Sequence, residues 1–336
     1  MKVLVTGSAG LLGGEICARL VAAGHEVTAL VHRSHEVRGN DGVLVRVARF
    51  LSGDVSRPGL GLGEAERGTL DRHLLIHCAA ITRFDLDEAS YRAVNVEGVR
   101  HVVVLAEDVG MDLLHVSTAY VCGARNGTIP EGDPLPESGF ANGYEKSKAA
   151  GERIVRSSSV RWAIARPSII VGEHATGAIR DFDATYAAFK LIAEGRVRHM
   201  EASAGATLDF VPIDHVAAGI AAIAGRMEQA SGATFHLVSG HALPVEEFAG
   251  AIGAFPQFHR PELVSPESFD PAALPALERR LYRRVAGLYA SYFQRDPRFD
   301  DRCFRELTGL ACPPTGTAYI RRLIDYCIGE GFLPAD

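Results

Sequence analysis

The chain has 336 residues, of which 47% are hydrophobic and 23% charged. This length and balance support one large hydrophobic core or two linked ones, and they exclude a disordered chain, a collagen-like repeat and a disulfide-stapled miniprotein. With 35 Lys and Arg against 41 Asp and Glu, the formal net charge is −6. Because this charge supplies no overall positive field, we expect no general affinity for nucleic acid.

The amino terminus and the cysteines indicate the compartment. The first ten residues, MKVLVTGSAG, enter a strand-like apolar stretch and then glycines, without the long apolar core and cleavage site of a signal peptide. No apolar run approaches the ~20 residues needed to span a bilayer. The six cysteines show neither a CxxC pair nor Cys/His metal spacing. These features predict a reduced, cytoplasmic enzyme with no membrane span and no structural metal.

Short apolar runs alternate with helical stretches along the chain. The candidate strands lie at residues 2–6, 26–31, 43–47, 74–78, 113–116, 160–165 and 234–238. They are rich in Val, Ile and Leu rather than strictly alternating, as expected of strands buried on both faces. The rhythm predicts an α/β fold with a doubly wound parallel sheet and helices on both sides.

The regular alternation ends near residue 172. We expect a loop at 172–177 and a helix at 186–194, after which the strand at 234–238 returns to the sheet. Residues 241–336 are richer in proline and aromatic residues. Two helical apolar stripes are expected there, formed by Leu281, Val285, Leu288 and Tyr292 and by Ile320, Leu323, Ile324 and Cys327.

A glycine-rich turn follows the first strand. Residues 6–13 read TGSAGLLG and open a helix. Gly7 allows a tight turn, Gly10 lets the backbone approach a diphosphate, and Gly13 allows the helix to pack closely on the sheet. The helix N-terminus attracts the anion. A strand, a turn and a helix in this order favour a dinucleotide site over a tight turn without a ligand.

The second strand ends in basic residues. A site for NAD usually places an acidic side chain here to hold the ribose hydroxyls, whereas residues 30–34 read LVHRS. The guanidinium of Arg33 can hold a 2′-phosphate in a forked, charge-assisted contact. The alternative is a solvated surface arginine. We interpret Arg33 as favouring NADPH.

Two segments carry candidate catalytic groups. Tyr144 and Lys148 are four residues apart and share one face if the segment is helical. A buried Lys148 cation would lower the pKa of the phenol from about 10, so that it could exchange a proton near neutral pH. Ser117 and Thr118 follow a strand, where a hydroxyl can polarise a substrate carbonyl. We assign that role to Thr118 and a supporting one to Ser117; the alternative for both is local bonding to the backbone.

These segments together resemble the extended short-chain dehydrogenase/reductase superfamily over residues 1–240. The resemblance rests on the glycine turn, HCAA at 77–80, NVEG at 95–98, and the Ser/Thr and Tyr/Lys pairs. Within the superfamily the chain is more similar to the fatty acyl-CoA reductase and thioester reductase branch. The branch motifs are GDVSRPGLGL at 53–62, STAYV at 117–121, RPSIIVG at 166–172 and DFVPID at 209–214.

The resemblance implies a division into two parts. A Rossmann domain that binds NADP is expected over residues 1–172, with a returning strand near 205–240. A smaller, partly discontinuous lobe that binds substrate is expected at 173–204 and 241–336. Pairing into a homodimer is expected only by analogy with related folds.

The resemblance also implies roles for individual residues. Thr118, Tyr144 and Lys148 are expected to be the catalytic residues of hydride transfer, and Asn95 to have a structural or proton-relay role. The residues expected to bind the cofactor are Gly7, Ser8, Gly10, Leu11, Leu12, Gly13, Arg33, Gly53, Asp54, Val55, Ala79, Ala80, Asn95, Lys148, Pro167, Ser168 and Ile169.

The activity implied is NADPH-dependent reduction of an acyl thioester to an aldehyde, which a second hydride could carry to the alcohol. The acyl group would be carried by coenzyme A or by a carrier protein. The alternatives are a ketone, a secondary alcohol or a nucleotide sugar as substrate of the same residues, and a nucleotide sensor without turnover. The basic cluster at residues 279–284, RRLYRR, could contact phosphates or a membrane surface, or lie in solvent.

Overall fold

The computed structural model describes residues 1–335, which fold around a seven-stranded parallel sheet. The strands are β1 (Lys2–Thr6), β2 (Glu26–Val31), β3 (Arg49–Ser52), β4 (Leu74–His77), β5 (Asp112–Val116), β6 (Gly127–Ile129), β7 (Trp162–Pro167), β8 (Ile169–Val171), β9 (His199–Glu201), β10 (Thr207–Leu208), β11 (Phe210–Pro212), β12 (Thr234–Leu237), β13 (Leu243–Pro244), β14 (Glu262–Val264) and β15 (Pro297–Phe299).

Helices connect most of these strands. The α-helices are α1 (Leu11–Ala22), α2 (Glu64–Arg67), α3 (Glu88–Tyr91), α4 (Glu97–Val109), α5 (Gly143–Arg156), α6 (Ala184–Ala193), α7 (Ile213–Ala224), α8 (Met227–Ala230), α9 (Val245–Gly253), α10 (Ala276–Arg284), α11 (Arg302–Thr308) and α12 (Thr317–Gly329). Short 3₁₀ turns lie at Pro58–Gly61, Gly68–Leu70, Ala119–Cys122, Ala286–Leu288 and Ala290–Phe293, and a π-helical turn lies at Arg92–Val96. Within residues 1–335, no helix has the length and apolar character needed to cross a bilayer.

The central sheet has the strand order β12-β7-β5-β4-β1-β2-β3, and each neighbouring pair is parallel. The order reverses at β1, where Val5 lies opposite Ala29 of β2 and Ile76 of β4. In doubly wound sheets, ligands bind in the crevice outside the carboxyl ends of the strands at such a reversal. The predicted fold class is confirmed.

Helices bury both faces of the sheet. On one face, Ile16 of α1 and Ile220 of α7 are fully buried against the strands. On the other face, Val102 of α4 and Val155 of α5 are fully buried. Burying each such side chain contributes about 1.5–3 kcal/mol. Covering on both faces explains why the strands are continuously apolar rather than alternating.

A third apolar core lies in the later part of the chain. It includes Ile192 of α6, Phe248 of α9 and Ile324 of α12. The predicted stripe that begins at Ile320 is therefore confirmed, and the predicted returning strand is β12, which pairs with β7 at the sheet edge. The boundary between the Rossmann domain and the substrate-binding lobe stays a prediction.

The third predicted strand is wrong. Residues 43–47 follow a turn in which Gly42 has a φ of 77°, and Val43 is 63% exposed. The third strand is instead β3, which pairs with β2. Val45 and Val47 do pack against the core. The alternation of apolar residues in this segment therefore comes from burial of these two side chains, while it is β3 that pairs with β2.

The predicted helical stripe from Leu281 to Tyr292 is also wrong. Helix α10 ends at Arg284, and Val285 has a non-helical conformation with φ −134° and ψ −70°. Two 3₁₀ turns follow, over 286–288 and 290–293. The apolar spacing was compatible with one helix, but the backbone bends at Val285, and of these four side chains Tyr292 alone lines the cavity described below.

Candidate active site

A cavity of about 430 Å³ lies at the carboxyl edge of the sheet and continues among the later helices. The predicted site residues on its wall are Gly7, Gly10, Leu11, Leu12, Gly13, Ala80, Thr118, Tyr144, Lys148, Pro167, Ser168 and Ile169. Ser117 also lies on the wall. The predicted residues away from the wall are Ser8, Arg33, Gly53, Asp54, Val55, Ala79 and Asn95. The structure thus brings the glycine turn and the three predicted catalytic residues to one cavity.

The glycine turn is too tight for side chains. Gly7 has a φ of 69°, and a Cβ there would lie 2.6 Å from the backbone nitrogen of Ala79. A Cβ on Gly13 would lie 2.1 Å from the carbonyl oxygen of Gly7. Gly10 precedes α1, and no side chain among the described residues caps this helix. The first N–H groups of α1 can therefore donate hydrogen bonds to an anion, and the turn fits the diphosphate of a dinucleotide.

Two of the predicted cofactor residues support the turn. Ser8 is buried, and its Oγ donates to the carbonyl of Leu30 over 2.9 Å. The N–H of Ala79 donates to Thr6 Oγ1 over 3.3 Å. These bonds fix the turn to the ends of β2 and β4, so Ser8 and Ala79 hold its shape from outside the cavity wall.

Basic side chains surround the ends of β2 and β3. Arg33 is exposed directly after β2. His32 Nε2 lies 3.6 Å and Arg57 Nε 3.7 Å from Asp54 Oδ2. Hydrogen bonds from Ser56 lower the pKa of Asp54, and the charges of His32 and Arg57 lower it further. The sequence pointed to the basic residues His32 and Arg33 but not to Arg57, which adds positive charge at the same edge.

Asn95 forms hydrogen bonds with two separate segments of the chain. Its Oδ1 accepts the N–H of Ile81 over 2.8 Å, and its Nδ2 donates to the carbonyl of Ile81 and to Ser147 Oγ, both over 2.9 Å. Ser147 belongs to α5, the helix that carries Tyr144 and Lys148. Asn95 therefore joins the segment after β4 to that helix.

Lys148 is buried at the cavity wall. Its Nζ donates to the carbonyl of Val116 over 2.7 Å. Burial lowers the pKa of Lys148 to about 8. Thr118 follows β5, and its Oγ1 accepts the N–H of Tyr120 over 3.3 Å, while its side chain also forms a hydrogen bond with Tyr144.

Tyr144 lies in the first turn of α5, which Asn142 caps by accepting the N–H of Glu145 over 2.9 Å. Burial raises the pKa of Tyr144, the charge of Glu145 raises it further, and a hydrogen bond with Thr118 works against both. The lowered phenol pKa that the sequence suggested is not found, because desolvation dominates and the Lys148 ammonium is bonded to Val116. Tyr144 is therefore a protonated phenol at neutral pH.

Aromatic rings line the middle of the cavity. The ring centre of Phe84 lies 5.6 Å from that of Tyr144, 5.0 Å from Tyr289 and 5.7 Å from Tyr292. The same cavity has an apolar part, called the apolar chamber here, which is formed by Phe189, Ile192, Met200, Leu208, Phe210, Phe248, Phe293, Ile320, Leu323 and Ile324. The sequence showed the aromatic enrichment and one of these stripes, but it could not show that they face a cavity.

The basic cluster lies on α10. Arg280, Arg283 and Arg284 are exposed, while Arg279 Nη1 donates to the carbonyl of Ala272 over 2.8 Å. The helix leads within two residues to Ala286, which is on the cavity wall. Across residues 1–335, no group of three His, Cys, Asp or Glu side chains could hold a metal ion together.

The doubly wound sheet, the glycine turn and the tyrosine and lysine beside it define an NAD(P)-dependent oxidoreductase of the extended short-chain dehydrogenase/reductase superfamily. The chain belongs to the male sterility protein family, whose NAD-binding model matches residues 5–220. The resemblance found in the sequence is confirmed.

Known proteins agree with this assignment. The chain is similar to the terminal R domain from the myxalamid PKS-NRPS biosynthetic pathway, with a TM-score of 0.83 and 25% identity over 99% of this chain and 92% of that one. It is 24% identical to an isonitrile lipopeptide synthase of Streptomyces coeruleorubidus over 99% of this chain. It is 29% identical to a fatty acyl-CoA reductase of Drosophila melanogaster over 36% of this chain. The chain covers 25% of the length of the synthase and 30% of the reductase.

Proposed function

We propose that the protein uses NADPH to reduce an acyl thioester, carried by coenzyme A or a carrier protein, to an aldehyde. A second NADPH can carry the aldehyde to the alcohol. The observation that carries this proposal is the apolar chamber that continues directly from Tyr144 and Lys148. Moving a methylene group from water into such a chamber gains about 0.8 kcal/mol. An acyl chain gains this repeatedly, whereas the hydroxyls of a nucleotide sugar would lose their hydrogen bonds to water.

The residues present fit a nicotinamide dinucleotide. When bound, the reduced cofactor supplies a hydride for the carbonyl carbon. The glycine turn and the N-terminus of α1 would hold the diphosphate. Arg33 would hold the 2′-phosphate that distinguishes NADPH, supported by His32 and Arg57. Lys148 would hold the ribose next to the nicotinamide.

The side chains of this protein stabilise the negative charge on the carbonyl oxygen and supply the proton that this oxygen takes up. Thr118 and Tyr144 donate hydrogen bonds to the carbonyl oxygen and stabilise the negative charge that develops there. Tyr144, kept protonated by its raised pKa, gives its proton to that oxygen, which yields a hemithioacetal. Lys148 stabilises the resulting tyrosinate. The carbon–sulfur bond then breaks, the hydroxyl proton passes to sulfur, and the aldehyde and the thiol leave.

The test is NADPH consumption by the purified protein with acyl-CoA thioesters of increasing chain length. Products are identified by mass and the free thiol is titrated. We expect one NADPH per aldehyde or two per alcohol, with one thiol in either case. If no thioester of the panel causes NADPH consumption while NADPH binding is intact, the proposal is contradicted and a ketone or secondary alcohol is favoured as substrate.

The role of Tyr144 is tested by Tyr144→Phe. We expect kcat to fall about 10²-fold because the proton donor is lost, while the KM for NADPH stays near that of the wild type. The control is Tyr326→Phe, which removes a hydroxyl that donates to the carbonyl of Ile179 outside the cavity wall. An unchanged kcat in Tyr144→Phe would show that the proton comes from another group.

A further inference from the structure

A buried ion pair adjoins Tyr144. Arg295 donates from Nη2 to Glu145 Oε1 over 2.5 Å and from Nη1 to the carbonyl of Gly123 over 2.9 Å. Glu145 follows Tyr144 in the first turn of α5 and is fully buried, and its Oε2 accepts the N–H of Ala141 over 3.0 Å. Arg295 is 4% exposed and lies 150 residues further along the chain. The pair therefore joins the late part of the chain to the start of the helix that carries Tyr144.

Aromatic rings enclose the guanidinium of Arg295. Its Cζ lies 4.9 Å from the ring centre of Tyr120 and 4.5 Å from that of Tyr292. The ring of Tyr292 stacks on Phe84 at an interplanar angle of 6°, and Phe84 packs against Tyr144. These four rings line the cavity, whereas Arg295 does not. Arg295 is thus linked to Tyr144 by ring packing as well as by charge.

We infer that Arg295 is a positioning residue that neutralises Glu145, so that this carboxylate does not oppose the negative charge developing on the substrate beside Tyr144. The inference rests on the proposed function, because it takes Tyr144 as the proton donor. A negative charge near that phenol makes it a weaker acid and repels an oxyanion. A buried carboxylate is tolerated at this position because a cation pairs with it in a forked contact.

Within the described part of the chain, the other titratable groups on which the charge of Glu145 acts supply no compensating charge. They are Tyr144, Tyr292 and Cys122. Burial raises the pKa of each of them above its ordinary value, that of Cys122 to about 11. All three are neutral across the physiological range, so the guanidinium of Arg295 is the cation that pairs with Glu145.

The first test compares kcat in a set of variants. In Arg295→Met we expect kcat to fall about ten- to a hundred-fold, with the KM for NADPH within about twofold of wild type. Adding Glu145→Gln removes the charge that Arg295 compensated, so the double variant should recover kcat to within about fivefold of wild type. Arg295→Lys keeps a cation and should lose less than Arg295→Met. The control is Arg322→Met, which removes a cation lying 5.9 Å from the ring of Tyr319.

The double variant separates the effect of charge from that of packing. It lacks both the Arg295 cation and the Glu145 carboxylate charge, but it keeps the packing change made at residue 295. A double variant as slow as Arg295→Met, or an Arg295→Lys variant as slow as Arg295→Met, would overturn the inference. If Arg295→Met does not fold, the double variant is compared with wild type directly, and a kcat more than about tenfold below that of wild type would overturn the inference.

Failure of the proposed function gives a different result. If Tyr144→Phe keeps the wild-type kcat, the proton assignment is wrong whatever the Arg295 variants do. If Tyr144→Phe is impaired and Arg295→Met is not, the proposed reaction stands and only the role of Arg295 is refuted.

Discussion

Replacing Lys148 by Met should make the protein more stable at neutral pH while turnover is lost. Lys148 is 3% exposed, and its Nζ donates to the carbonyl of Val116 over 2.7 Å. Burial lowers the pKa of Lys148 from 10.5 to about 8. The folded protein therefore holds the ammonium less favourably than water does, and this charge costs stability wherever it persists.

The size of the effect follows from proton linkage. At 1.36 kcal/mol for each pKa unit, the shift from 10.5 to about 8 corresponds to about 3 kcal/mol at pH 7. Methionine is unbranched and adapts to the space of the lysine stem. It leaves the Val116 carbonyl without its donor, which costs about 1–3 kcal/mol. We therefore expect Lys148→Met to gain about 1 kcal/mol of unfolding free energy at pH 7.

The pH dependence is the sharper measurement, because the bond to Val116 is missing at every pH. Between about pH 8 and 10.5 the unfolded wild type keeps the lysine proton and the folded wild type has released it. The unfolded state then binds more protons, so wild-type stability rises with pH across this window. The advantage of Lys148→Met is fully present below about pH 8 and should shrink by about 3 kcal/mol by pH 10.5.

Urea unfolding followed by circular dichroism at pH 7 and at pH 10 supplies both free energies. The matched control is Lys146→Met on the same helix, because 64% of the Lys146 side chain is exposed and it pairs with Glu88. This control should change stability by less than about 1 kcal/mol at either pH. The reasoning is refuted if Lys148→Met differs from wild type by the same amount at both pH values.

Two further predictions concern exposed arginines outside the cavity wall. Arg33→Ala should raise the KM for NADPH about tenfold and leave that for NADH unchanged, because only NADPH carries the phosphate; equal effects on both cofactors, measured by initial rates, would contradict this role. Replacing Arg283 and Arg284 together by Ala should leave turnover of a minimal thioester intact and raise the KM for a carrier-bound substrate. An unchanged carrier KM would indicate a solvated helix face.

Local sequence was sufficient to predict the framework of the fold. The glycine turn is formed by the eight residues 6–13 alone. A Cβ at Gly7 or Gly13 would collide with the backbone, so the positions of the glycines are enough to predict the conformation of the turn. The prediction of a strand at 43–47 was wrong because strand pairing depends on more than the local pattern. The alternation of Val45 and Val47 reports burial, and burial alone does not say which segment bonds to β2.

The apolar chamber and the pair of Arg295 with Glu145 could not be predicted in this way. Their residues come from distant segments, and each has an ordinary alternative in the sequence. Phe248 could belong to a solid core, and Arg295 could lie in solvent. Only the packing of α6, α9 and α12 shows that apolar side chains surround a cavity, and only the fold brings Arg295 to Glu145.

The pKa of Tyr144 shows how burial changes a prediction made from spacing. The four-residue interval to Lys148 was correct for one helix face, and from it we expected a phenol that ionises easily. In the structure the Lys148 ammonium is bonded to Val116, and burial raises the pKa of Tyr144. Oxidation of an alcohol would need the tyrosinate as a base, whereas reduction needs the protonated phenol. The same burial that makes Tyr144 a poor base therefore keeps it ready to donate a proton, which matches the direction of the proposed reaction.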